Sequence, residues 1–389
     1  MMSVEKKSVV ALVKESNVKT AVEKAFELLG GVNAFVRPGD KVLVKVNAAA
    51  AVPPSVRPEV TDPEVVGEIV RVIKGAGPSK VIVGDDPIWH VKGRDSFKGS
   101  GIGEAVLRAG GEVCYFDEEP RIIEDVPNGS IFEKISIPRI VKEVDCIVNV
   151  PKMKTSFIAV VTLGIKNQLG YLLFEDRLKF HRLADLAYVL SDIGKVIKPN
   201  LTIIDGIVAM EGYGPHAGNP KRMDTLVASS DMVAADAVAT YVMGFDPYEP
   251  PATQVAMAEG LGKGSLSEIE VLGASMDEVR RPFARPIIRY VSPHPNVKMY
   301  AGGICPGCAP RIIAAPPDPD PSKKYALIIG SRAPVLRQVE ADEVWCIGKC
   351  GIESAQTSKE FLRGVAKENI KLVPGCPPLR WYSKLVIKQ

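Results

Sequence analysis

Two patterns of apolar and polar residues alternate along most of the chain. "SVVALVK" (8–14) is an almost unbroken apolar run, and "VKTAVEKAFELLGGV" places its apolar residues three and four apart before a pair of glycines. The first predicts a buried strand and the second an amphipathic helix. The phrase then repeats. "DKVLVKVN" predicts a strand, and "TDPEVVGEIVRVIKGAG" predicts a helix with Thr61 or Asp62 as its cap, Pro63 in its first turn and glycine at its exit. "KVIVGDD" predicts a strand, "GSGIGEAVLRAGG" a helix and "EVCYF" a strand. "DCIVNVPKMKT", the helix "LADLAYVLSDIGKVI", the strand "LTIIDGIVAM" and the pair in "DTLVASSDMVAADAVATYVMGF" continue the series. Strands that are apolar on both faces and separated by helices predict an α/β fold, a mostly parallel sheet flanked by helices.

The alternation breaks at "VRRPFARPIIRYVSPHP", which is rich in proline and arginine. That break predicts a divide near residue 285, with an α/β domain over 1–285 and a smaller α/β domain over 286–389. The smaller one reads as strand "KMYAGG", strand "KYALIIG", strand "EVWCIG", helix "SKEFLRGVAKE" and strand "IKLVPG".

Composition adds exclusions. Apolar residues make up 46% of the 389 and charged residues 24%, with a net charge of only +3, so no overall field calls for a nucleic-acid or membrane partner. No apolar stretch approaches the roughly 18 residues that span a bilayer. The expectation is a cytoplasmic protein.

Cysteine placement changes the picture most. Five of the seven, Cys305, Cys308, Cys346, Cys350 and Cys376, crowd the last quarter of the chain, while Cys114 and Cys146 stand alone in apolar runs. Cys346 lies inside a predicted strand and is expected to pack in the sheet. The other four follow predicted strand ends, where the loops of a parallel sheet converge. Four thiolates suit a tetrahedral zinc or an iron–sulfur cluster; buried thiols or a disulfide pair are the alternative. Only Cys305 and Cys308 form a C-x-x-C knuckle, and the other two sit alone among glycines and prolines, an arrangement that suits a cluster touched from several loops. The order "CPGC", "GKCG", "GCPP" resembles the proximal-cluster ligands of nickel–iron hydrogenase small subunits, which sit on a flavodoxin-like domain. The resemblance implies a [4Fe–4S] cluster held by Cys305, Cys308, Cys350 and Cys376.

In the larger domain, polar residues gather where strands end: Lys45 and Asn47, Asp85 and Asp86, Asn149, Lys152 and Lys154, then Lys166 and Asn167. Lysines among asparagines favour a small anionic substrate, through point charges and fixed amide hydrogen bonds. Lys45, Asn47, Lys152, Lys154, Lys166 and Asn167 are the expected binding residues. "DGIVAMEGYGPHAG" supplies Asp205 at a strand end and Glu211 and His216 in a glycine-rich loop, groups suited to acid–base catalysis or to a hard metal. Asp231 in "SSDMVAAD" reads as a helix cap. "GSGIGEA" departs from the dinucleotide fingerprint.

The motifs "VNVPKMKT", "TLGIKNQLG", "DGIVAMEGYGPHAGNPK" and "SSDMVAADAVATYVMGFDP" resemble, in order and spacing, the family catalogued as domain of unknown function 362, over about residues 1–275. Members often carry ferredoxin-like cluster domains, and the family commonly has a histidine where this chain has Ser156. The expected function is an iron–sulfur redox enzyme whose cluster exchanges electrons with a small anionic substrate or second metal, with a redox partner protein possible. The alternatives are a non-redox isomerase or lyase with structural zinc, and an electron-transfer or cluster-carrier module.

Overall fold

A computed structural model describes residues 7–87, 91–173, 176–177, 186–285, 295–301, 320–330, 333, 335, 338–357 and 360–374. They fall into two compact units that divide between Ile287 and Ile288.

The larger unit is built on a ten-stranded sheet. Its strands are β1 (Ser8–Lys14), β2 (Lys41–Val46), β3 (Lys80–Asp85), β4 (Glu112–Tyr115), β7 (Cys146–Val150), β8 (Lys152–Ser156), β9 (Val160–Thr162), β10 (Leu201–Glu211), β11 (Asn219–Ser229) and β12 (Ile269–Gly273). A separate antiparallel hairpin joins β5 (Arg121–Asp125) to β6 (Lys134–Pro138). The main order is β12-β1-β11-β10-β7-β2-β3-β4, with β8 pairing β10 and β9. From β10 through β7, β2 and β3 to β4 every pairing is parallel, whereas β11 runs antiparallel to both β1 and β10. This is the mixed α/β architecture expected from the strand–helix alternation, and no described helix is long and apolar enough to cross a membrane.

Pleating assigns each residue to a face. Val42, Val44 and Val46 of β2 and Val81 and Val83 of β3 pack into the core under the helices Val18–Leu28 and Pro63–Gly75. Leu43, Ile82 and Ile147 face the opposite core, with the helix Leu186–Val196. The helix Met232–Val242 packs in a third cluster with Met153 and Ile204. Asp231 caps it, accepting from Val233 N and Ala234 N, and Asp62 caps Pro63–Gly75.

Local chemistry redraws several boundaries. The run 145–155 is two strands, because Pro151 has no N–H to donate. Its carbonyl instead accepts from Asp205 N at 2.9 Å, and the chain changes partners: β7 pairs β2 and β10, while β8 pairs β10 and β9. The helical stretch at 99–111 divides at Gly101, whose φ of 84° ends Gly93–Ser100 and starts Ile102–Arg108. Strands β5, β6, β9 and β12 are short and gave no clear period in the sequence.

The second unit contains β13 (Val297–Ala301), β14 (Tyr325–Ile329), β15 (Glu343–Ile347) and β16 (Ile370–Val373), all parallel and ordered as in sequence. The helix in this region is Gly348–Gln356, directly after β15. The segment read as a helix from 358 is instead turn from 360 to 364, where Gly364 takes φ 88°. Cys346 is fully buried in β15, as its place in the strand implied, among Ala326, Ile328 and Phe361. Burial pushes its thiol up to about 11.

Candidate functional site

The face of the sheet that carries Leu43 and Ile147 changes character one pleat further on. The next residues on that face are Lys45 and Asn149, which are cross-strand partners in β2 and β7, 1% and 0% exposed. Strand β8 continues the theme. Its alternation sends Met153 into the apolar core and turns Lys152 and Lys154 the other way, both buried. Three lysines thus converge at the carboxyl end of the central strands, where open α/β sheets place their ligands.

Two of these lysines are neutralised. Lys152 Nζ lies 2.8 Å from Asp205 Oδ2, and neither side chain is exposed. Asp205 also accepts from Asp62 N at 2.8 Å and from Ile207 N at 3.1 Å, so its oxygens are fully engaged. Lys45 Nζ lies 2.7 Å from Asp85 Oδ1, donates to Val46 O at 2.9 Å and stands 5.6 Å from the centre of the Tyr171 ring. Asp85 Oδ2 accepts from Ala48 N at 2.7 Å. The pair is packed so closely that a Cβ on Gly170 would overlap it, which explains the glycine in "NQLGY". Beside it, Asp86 pairs with Arg177, and burial raises its carboxyl to about 6.

Among the described residues, Lys154 and Lys166 have no such carboxylate. Lys154 Nζ donates to Asn47 Oδ1 at 2.8 Å and to Glu59 O at 2.7 Å, both uncharged acceptors, which leaves one N–H. Burial and the Lys166 charge lower its pKa to about 7. The Lys166 ammonium, half-buried in the short helix Gly164–Asn167, makes no hydrogen bond or ion pair among the described residues, and desolvation lowers it to about 8. His216 completes the group. Its loop folds back over β8, with Gly214 against Thr155 O, where a Cβ would collide, and a cis peptide at Gly214–Pro215. His216 Nδ1 lies 3.8 Å from Glu59 Oε1, which is also 3.6 Å from Arg57 Nη1. Loss of solvation, then Lys154, Lys166 and Arg57, push the half-buried imidazole down to about 3. It is neutral at physiological pH.

Of the residues expected from sequence, Lys154, Lys166, Asn47 and His216 form this group. Lys45 and Lys152 lie beneath it as ion pairs with Asp85 and Asp205. Asn167 donates to Asn149 Oδ1 at 2.8 Å and to Lys45 O and Val46 O, so it acts inside the protein. Glu211 stands apart: it pairs with Lys221 at 2.8 Å and accepts from Ala284 N, contacts that hold its pKa below the usual carboxylate range. Glu59 and Arg57 were not anticipated. A carboxylate between Pro58 and Val60 looks like loop charge, and only its 2% exposure reveals its role. In the second unit, Cys350 lies in the first turn of Gly348–Gln356 as a free, half-buried thiol. Cys305, Cys308 and Cys376 lie outside the described residues. Among the described residues no cluster of His, Cys, Asp and Glu is placed to hold a metal ion.

Fold and site together define an α/β protein with a buried lysine–asparagine cluster at the carboxyl ends of its parallel strands. The chain belongs to the family described as "Domain of unknown function (DUF362)", whose pattern matches residues 42–241, just over half of the sequence and all of this cluster. It is 30% identical over 247 residues to "Thylakoid-associated protein sll1697" of Synechocystis, a match covering 61% of this chain and 72% of that protein. Among solved structures it is similar to the lactate racemase apoprotein of Thermoanaerobacterium thermosaccharolyticum, with a TM-score of 0.37 and 12% identity over 61% of this chain and 57% of that one. A Thermotoga maritima protein matches with a TM-score of 0.32 and 9% identity, over 62% of this chain and 58% of its own. The chain therefore spans less than two thirds of either solved structure.

Proposed function

We propose that the protein is an iron–sulfur oxidoreductase: the larger unit takes a small anion at Lys154, Lys166 and His216, and the second unit holds a [4Fe–4S] cluster. The observation that carries the anion reading is the pair of lysines that, among the described residues, have no carboxylate within ion-pair distance, set beside two that do. A buried ammonium without a counter-charge costs stability, and the usual remedy is a neighbouring carboxylate. Here the hydrogen bonds of Lys154 go to Asn47 and a main-chain carbonyl, and the Glu59 and Asp85 carboxylates act on it only at longer range. An anion on the free N–H of Lys154 and on Lys166 offsets the cost, and the half-buried Lys166, Asn47 and His216 give it access. The ion pairs Lys152–Asp205 and Lys45–Asp85 add no net charge and fix the floor of the site. His216, neutral while the lysines are charged, gains basicity as the anion compensates them and can then accept a proton beside it.

Support for the cluster comes from the second sheet. Its strands are parallel and in register at Ala301, Ile329, Ile347 and Val373, so the chain leaves β13, β15 and β16 at one edge. In sequence Cys305 and Cys308 follow Ala301, Cys350 follows Ile347 and Cys376 follows Val373. When bound, such a cluster supplies one-electron transfer. The test is iron, zinc and acid-labile sulfide content on protein purified without oxygen, with electron paramagnetic resonance after reduction. About four irons and four sulfides per chain are expected, and Cys308→Ala is expected to abolish the cluster absorbance. One zinc and no sulfide replaces the redox reading with a zinc-stabilised, non-redox protein.

A further inference from the structure

Five hydrogen bonds in series join Lys154 to a carboxylate it never touches. Lys154 Nζ donates to Asn47 Oδ1 at 2.8 Å, Asn47 Nδ2 to Asn167 Oδ1 at 3.4 Å, Asn167 Nδ2 to Asn149 Oδ1 at 2.8 Å and Asn149 Nδ2 to the Gly164 carbonyl at 3.1 Å. That carbonyl belongs to the peptide whose N–H, on Ile165, donates to Asp236 Oδ2 at 2.9 Å, while Gly164 N donates to Asp236 Oδ1 at 2.7 Å. Every link runs in the same direction. The two ends impose it: an ammonium only donates, so Asn47 presents its oxygen, and a carbonyl only accepts, so Asn149 presents its amino group. Asn167 then has one orientation that satisfies both neighbours. Lys154, Asn149, Asn167 and Asp236 are each at most 4% exposed. Aligned amides between a positive and a negative end polarise one another in low dielectric.

We propose that Asp236 is the remote counter-charge of the anion site, holding Lys154 as an oriented ammonium through Asn149, Asn167 and Asn47. Asp236 touches no ligand; it is a positioning residue. The inference rests on the anion reading for its purpose, whereas the coupling of Lys154 to Asp236 stands on the hydrogen bonds alone. Lys154 is also faced by Lys152 and Lys166, which favour loss of its proton, and by Glu59 and Asp85, which oppose it. Asp236 is faced by Asp231 and by its two amide donors. Burial raises Asp236 to about 7 and lowers Lys154 to about 7, so the two ends are charged together only around neutral pH, and the coupling acts in that range.

The experiment is nuclear magnetic resonance titration of the full chain carrying isotope-labelled lysine, first without added anion. Asp236→Asn is expected to lower the apparent pKa of Lys154 by on the order of half a unit, the size expected of one charge acting over such a range. Lys166, outside the series, should stay where it is. Asn167→Leu keeps both charges and cuts the middle link, so it should move Lys154 in the same direction by the part that the aligned amides carry, and it carries the test if Asp236→Asn does not fold. An unmoved Lys154, or equal movement of Lys154 and Lys166 as in general loosening, overturns the inference. Inorganic phosphate is then titrated into each protein, and both variants should bind it about three-fold more weakly. A wild type that binds no phosphate but shows the Lys154 shift refutes the anion site and leaves the coupling standing.

Discussion

The most quantitative consequence concerns Lys154 and alkali. Its pKa falls from 10.5 to about 7 on folding. At about 1.4 kcal/mol per unit, this amounts to roughly 5 kcal/mol held against the ammonium. The sign follows from proton counts. Below about pH 7 Lys154 is charged in both folded and unfolded chains, and its contribution is flat. Between about 7 and 10.5 the unfolded chain keeps a proton that the folded chain has lost, so folded stability rises with pH. Lys166, with a folded pKa of about 8, gives a slope of the same sign from about pH 8 upward. Replacing Lys154 by Met, an apolar side chain of similar length, removes the first slope and keeps the second. The measurement is urea-dependent hydrogen exchange by mass spectrometry at pH 7.5 and 9.5, read on peptides from β10 so that the larger unit reports alone. The gain in stability between the two pH values should be greater in the wild type than in Lys154→Met by about 2 to 3 kcal/mol, one proton over two pH units. Parallel pH dependence in the two proteins would show that Lys154 keeps an ordinary pKa and would remove the electrostatic basis of the site.

Other consequences are simpler to check. Lys152→Met leaves Asp205 buried without its partner and should destabilise the larger unit by about 3–5 kcal/mol, while the double variant with Asp205→Asn should recover part of that loss in chemical denaturation. His216 should remain neutral as pH falls through 5 and protonate only near 3. Because its folded pKa is depressed, its stabilising contribution shrinks as pH falls below about 6.5. Nitrogen chemical shifts of labelled histidine report this directly, and saturating phosphate should move the transition upward. Cys346→Ala should leave iron and sulfide content unchanged, since that thiol belongs to the sheet core, whereas Cys350→Ala should lower both.

Much of this was legible in the sequence, and the gaps have physical causes. The parallel core was clear because β2, β3 and β7 are apolar on both faces, a pattern that solvated strands do not show. Lys45 and Asn149 stood out as polar residues where those apolar strands end. What the sequence did not reveal was pairing. Nothing in the spacing says that Lys152 and Lys45 meet carboxylates while Lys154 meets an amide, because Asp205 lies inside β10, where the sequence suggested a strand end, Asp85 ends β3 and Asn47 follows β2. Glu59 was missed since a loop carboxylate beside proline normally lies in solvent. Asp236 carries no signal of its own in "SSDMVAAD", yet its helix carries it to the amides of Gly164 and Ile165, which long-range packing alone determines. The two antiparallel neighbours of β11 escaped for a similar reason, since period and composition carry no strand direction.

The measurement that bears most directly on the account is calorimetric titration of inorganic phosphate into the full chain at pH 7 and low salt, alongside Lys166→Met. The account predicts saturable binding by the wild type, weakened by added chloride, and a loss of about ten-fold or more in the variant, as removal of one charge-assisted contact implies. Equal heats in the two proteins, or none in either, would contradict an anion site at Lys154 and Lys166.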